Sequence, residues 1–125
     1  MPASLSIETI EFIRNSFKSV WALELLLLMR RDSSREWSVN DLIQELRAND
    51  SIVSAILPEF VKKGLIAESP EKMFRYRPER GVLEQLVDRV AEAYAENRVR
   101  VTEEILNAPS EDIQIFADAF KIKKD

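Results

Sequence analysis

The stretch "DSIVSAILPEFVKKGL", residues 50–65, divides into two halves when wound at 3.6 residues per turn. Ile52, Val53, Ile56, Leu57, Phe60 and Val61 fall on one face and predict a helix packed on a core. The other face carries Asp50, Ser51, Ser54, Ala55, Pro58 and Glu59, and the first cation after Asp50 is Lys62. Asp50 is the expected cap, and Gly64 is a strong stop, because glycine enters the left-handed conformation that ends helices. Pro58 lacks a backbone donor and disfavours helical geometry at Leu57, so a kink is expected between Ser54 and Pro58. Half of this helix is therefore committed to packing, and the other half is small and almost free of cations.

Working outward, the preceding residues 37–49, "WSVNDLIQELRAN", read as a short extended piece entering a helix. Ser38 or Asn40 is placed to cap it, Leu42, Ile43 and Leu46 form its apolar face, and Ala48 and Asn49 turn the chain. Before a polar loop at residues 32–36, residues 20–29 are apolar on almost every side, which predicts a central buried helix. Trp21 and Trp37 are read as packing residues. Glu24 interrupts the apolar run, and its carboxylate requires a basic or tyrosine partner or an open helix face. An earlier helix is expected after Ser6, with Ile7, Ile10, Ile13 and Phe17 at helical spacing.

After Gly64 the period changes from 3.6 to 2. "LIAES", a turn at residues 70–72 and "MFRYRP" predict a β-hairpin in which Phe74 and Tyr76 alternate with Arg75 and Arg77. A long helix over residues 82–97 follows, with Leu83, Leu86, Val87, Val90 and Tyr94 on one stripe. Thr102 is a candidate cap for a short turn, and a last helix over residues 111–121 gathers Ile113, Phe116, Ala117 and Phe120.

This order of elements resembles the winged helix-turn-helix domain of bacterial transcriptional regulators, the MarR-like branch above all. The residues that carry the likeness are "VNDLIQEL", "SIVSAILPEFVKKGLI" and "AESPEKMFRYRP". The resemblance implies a mostly α fold with a small β-hairpin wing, organised as a winged domain with its N-terminal helix over residues 1–81 and a C-terminal helical extension over residues 82–125. It implies a DNA-binding transcriptional regulator that contacts double-stranded DNA through Ser51, Ser54, Ala55, Pro58 and Lys62 of the third helix, and through Lys72, Arg75 and Arg77 of the wing. It also implies a homodimer, with Leu83, Leu86, Val87, Val90, Tyr94, Phe116 and Phe120 as the dimerisation surface; the other reading of that stripe packs it inside one chain. The outer face of the third helix departs from the pattern, because it lacks the Arg, Asn and Gln side chains that read base edges in pairs of hydrogen bonds. The alternative is therefore a winged-helix module that binds a regulatory protein and reads no DNA directly.

Charge fits neither reading completely. Net charge is −4, without the basic excess usual for nucleic-acid binding. Residues 1–81 hold 12 basic and 12 acidic side chains, and residues 82–125 hold 6 and 10, so the acidity belongs to the C-terminal part. With no Cys and no His, thiolate nucleophiles, histidine triads and the usual zinc sites are excluded. Glycine-rich phosphate loops are missing too. Neither catalysis nor a cofactor nor a metal is expected. The apolar run is too short to span a bilayer and no signal peptide is evident, so a cytoplasmic location is expected.

Overall fold

The computed structural model describes residues 5–107, which form six helices and one two-stranded antiparallel sheet. In chain order these are α1 (Ile7–Ser16), α2 (Val20–Arg31), α3 (Val39–Leu46), α4 (Asp50–Lys62), β1 (Ile66–Glu68), β2 (Phe74–Tyr76), α5 (Gly81–Glu96) and α6 (Arg98–Leu106). The helix expected over residues 111–121, with Phe116 and Phe120, lies outside the described residues.

Every helix start but that of α5 follows from a local polar side chain. Ser6, Ser19, Ser38 and Asn49 accept hydrogen bonds from the backbone N–H three residues on. Asn49, rather than Asp50, caps α4, because its carbonyl oxygen reaches Ile52 N–H at 2.9 Å while Asp50 is already the first helical residue. Ser38 and Asp41 form a reciprocal capping box. The Ser38 N–H bonded to Asp41 holds that carboxyl below the usual carboxylate range. The associated stability is present above about pH 4 and is lost as pH falls through the lowered value. Asn97 caps α6 in place of Thr102, which lies within the helix.

Both central helices end in the same way. After α3 the backbone turns left-handed at Arg47 (φ 56°), with Ala48 N–H donating to the Ile43 carbonyl at 3.1 Å. After α4 it turns left-handed at Gly64 (φ 75°), with Leu65 N–H donating to Phe60 at 3.0 Å. Only the second uses glycine. A Cβ at Gly64 would also stand 2.5 Å from a Glu79 carboxylate oxygen. Arg47→Gly is therefore expected to stabilise the fold by about 1 kcal/mol, since an L-residue pays steric cost there. Gly64→Ala is expected to destabilise by about 1–2 kcal/mol for the same reason. Urea titrations of the two variants check the opposite signs; two shifts of like sign would contradict the shared geometry.

Pro58 lies inside α4, which continues through it as one α-helix. β1 and β2 pair in the register Ile66–Tyr76, Ala67–Arg75, Glu68–Phe74. Lys72 closes the hairpin turn with φ 61°, donating from its N–H to the Ser69 carbonyl at 2.9 Å. Trp37 adds a third edge: it exchanges two backbone hydrogen bonds with Phe74, at 2.7 and 2.8 Å.

One core joins all of these elements. Leu23, Leu25, Leu26 and Met29 of α2 meet Leu42, Val53, Leu57 and Phe60, together with Trp37, Phe74 and Tyr76. Val87, Val90, Ala93 and Tyr94 of α5, and Val101 and Ile105 of α6, belong to the same cluster, and α5 and α6 pack on α1. The α5 stripe is thus packed inside the chain: Val87 and Val90 are fully buried and Tyr94 nearly so, while Leu83 and Leu86 are half-buried. Val87, Val90 and Tyr94 are corrected from a dimerisation surface to core, because α1 supplies the apolar partner that a second copy was expected to supply. Glu24 finds its partner here, accepting a 2.6 Å hydrogen bond from the Tyr94 hydroxyl.

Candidate nucleic-acid interface

The alternation of β2 puts Phe74 and Tyr76 into the core and leaves Arg75 and Arg77 outside. The loop after α2 returns beside this strand because Trp37 is hydrogen-bonded to Phe74. Two cationic segments distant in sequence therefore share one open cleft of about 850 Å³, lined by Arg30, Arg31, Ser33, Arg75, Tyr76, Arg77, Pro78, Glu84 and Asp88.

The four arginines are not equivalent. Arg30 donates from Nε and Nη2 to Asp88 Oδ1, at 3.0 and 2.9 Å, so its charge is largely spent within the chain. Arg31, Arg75 and Arg77 have no ion-pair partner among the described residues. Burial pushes the Tyr76 phenol up to about 12, with the Asp88 carboxylate adding to the rise, so the hydroxyl keeps its proton at neutral pH. That buried hydroxyl has no hydrogen-bond partner among the described residues. Three open guanidinium groups and a serine make a surface suited to phosphate oxygens, while the Tyr76 hydroxyl lies beneath it, closed to solvent. Glu84, which also lines the cleft, limits the positive field. Arg35 does not line the cleft and is stacked 3.6 Å above the Trp37 ring.

The outer face of α4 is elsewhere. Ser51, Ser54, Ala55, Pro58 and Lys62 are all exposed, but none of them lines the arginine cleft. The Ser54 hydroxyl donates to Asp50 Oδ1 at 3.3 Å. Ala55 instead borders an apolar groove of about 300 Å³ with Trp21, Ala22, Ile52, Ile56 and Phe60, edged by Lys18, Lys63 and Glu59. Lys72 is exposed at the hairpin turn. The structure brings together Arg75 and Arg77 from the expected set and adds Arg31, Ser33 and Tyr76. Tyr76 was legible only as a strand aromatic; its unpaired hydroxyl required the packed core.

Trp21 is a correction. It is 39% exposed, whereas Trp37 is buried as expected. Position 21 falls on the outer arc of α2, and a helix apolar on every side gives no period from which to read that arc.

Comparison with family models, curated proteins and solved structures finds no match to this chain.

Proposed function

We propose that this chain is a winged helix-turn-helix transcriptional regulator that binds double-stranded DNA mainly through its phosphate backbone. The succession α2, Trp37 edge, α3, α4 and hairpin supports the winged reading, with α3 and α4 as the helix pair and β1–β2 as the wing. The observation that carries the function is the convergence of Arg31, Arg75 and Arg77 on one cleft with no ion-pair partner among the described residues. Such contacts position a protein on DNA without specifying sequence. α4 contributes little base reading in this account, because its outer face offers two serines, one of them engaged by Asp50. A cytoplasmic location belongs to the same reading.

The test is fluorescence anisotropy of a labelled duplex against salt. Arg75→Ala/Arg77→Ala is expected to weaken binding at least about tenfold and to lower the slope of log K against log salt by about 2, one per lost phosphate contact. Failure of the wild type to bind any duplex near about 50 mM salt would remove the proposal.

A second reading has its own support in the apolar groove between α2 and α4. Trp21, Ile52, Ala55 and Ile56 border it where a DNA-reading face would be polar and basic. That surface suits an amphipathic segment of a regulatory protein.

A further inference from the structure

α2 is apolar nearly all round, and its two arcs are covered unequally: on the outer one Trp21 and Arg31 are exposed, while Val20, Glu24, Leu27 and Leu28 are half-buried. Ala22, Leu23, Leu25, Leu26 and Met29 are buried. At 100° per residue the opposite arc carries Val20, Trp21, Glu24, Leu27, Leu28 and Arg31. Grooves flank this arc on both sides, one towards Glu45 and Leu46 at the end of α3, the other towards Ala91, Ala95 and Arg98. Glu24, Leu28 and Arg31 line both grooves and form their shared wall.

The charges on this arc are arranged in a particular way. Glu24 and Arg31 lie seven residues apart on nearly one line, about 10 Å along the axis, too far apart to pair with each other. Leu27 and Leu28 sit midway between them. Glu24 Oε1 accepts from Tyr94, which leaves Oε2 open to a second donor, and Arg31 has no ion-pair partner among the described residues. An acid and a base placed symmetrically about an apolar centre are complementary to themselves under two-fold rotation.

We propose that the outer face of α2 is the interface between two copies of this chain, packed antiparallel about an axis passing between Leu27 and Leu28. In that arrangement Glu24 meets Arg31 of the partner subunit, and Arg31 meets Glu24 of the partner subunit. The leucines meet at the axis, and Trp21 covers the residue 32–36 loop of the other copy. Such an interface is isologous and closes at two subunits. Apolar burial, with Trp21 as an anchor, supplies affinity; the two charge pairs set register and direction. This surface takes the place of the α5 stripe, which the chain buries itself. The inference shares Arg31 with the arginine cleft. In the dimer that side chain turns to Glu24 of the partner subunit and leaves Arg75 and Arg77 for phosphate. Because the readout is mass, failure of the inference is distinguishable from a failure to bind DNA.

Sedimentation equilibrium of the full chain tests it. A dimer is expected for the wild type. Glu24→Arg and Arg31→Glu are each expected to weaken association at least about tenfold, because each places two like-charge contacts across the axis. An equimolar mixture of the two variants should associate again, since one then presents only bases and the other only acids. Leu28→Asp should be monomeric and provides a disruption that spares the Glu24–Tyr94 bond. Thermal melts establish that each variant is folded. A wild type that stays monomeric at about 100 μM, well above the Kd of a standard-sized interface, overturns the proposal. So does a mixture of folded single variants that fails to associate, or a Leu28→Asp dimer as tight as the wild type.

Discussion

Arg14→Ala/Arg100→Ala is expected to destabilise the fold by about 3–5 kcal/mol, although both side chains lie nearly half in solvent. The cause is Glu104. Its side chain is only 6% exposed, and its charge is met by Arg100 Nη1 at 3.0 Å and Arg14 Nη2 at 3.3 Å. The Arg14 contact to Oε2 has ion-pair distance but poor hydrogen-bond alignment, so that oxygen is left without a hydrogen bond among the described residues. Surface pairs of this kind normally contribute under about 1 kcal/mol, because water replaces the lost partner. Water has little access to Glu104. Removing both guanidinium groups strands a buried carboxylate, so the cost is desolvation rather than a lost attraction. Either single variant should cost much less, because one guanidinium remains. Glu104→Leu should fall within about 1 kcal/mol of the wild type, since it removes the charge and keeps the volume. Guanidinium chloride titrations decide between the accounts. A double variant no worse than the sum of two weak surface effects would mean that Glu104 is solvated.

Phe60→Ala carries the other large effect, a loss of about 3–5 kcal/mol. Phe60 is 1% exposed and meets the Phe17 ring edge-on at 6.0 Å; Phe17 in turn meets Phe12 at 5.9 Å. The residue thus joins α4 to the end of α1, and truncation leaves a cavity that neither helix can close without moving the other. Measured against a typical total of about 5–15 kcal/mol, this loss would bring the domain near its unfolding threshold. Ile56→Ala, one turn earlier and half-buried, should cost clearly less. Equal losses at the two positions, read by thermal or chemical unfolding, would show that α4 does not bury the face its sequence marks.

That face was legible because its signal is local. Ile52, Val53, Ile56, Leu57 and Phe60 recur at helical spacing, Gly64 supplies the left-handed stop, and the shift to alternation at Phe74–Tyr76 announces the hairpin. Capping was read less well. Asn49 and Asp50 are adjacent candidates with the same chemistry, and Asn97 precedes a segment that gave no clear period.

The site was legible only in part. Arg75 and Arg77 were visible as the outer half of an alternating strand. Their meeting with Arg31 and Ser33 depends on the Trp37–Phe74 bridge, a pairing across 37 residues that no local pattern encodes. The neutralisation of Arg30 by Asp88 spans 58 residues and is equally silent in the sequence.

By itself, then, the sequence determined α1 to α5 and the hairpin, their order and the inner face of each strongly periodic helix, because 3.6- and 2-residue periods are imposed by short-range backbone geometry. Only the tertiary structure decided which apolar faces remained uncovered. The stripe of Val87, Val90 and Tyr94, the all-round apolar α2 and the carboxylates Glu24 and Glu104 each admit several partners, and burial depends on what the rest of the chain brings to them. Folding spent the α5 stripe on α1, left Trp21 outside, and set the arginines of the hairpin apart from the outer face of α4.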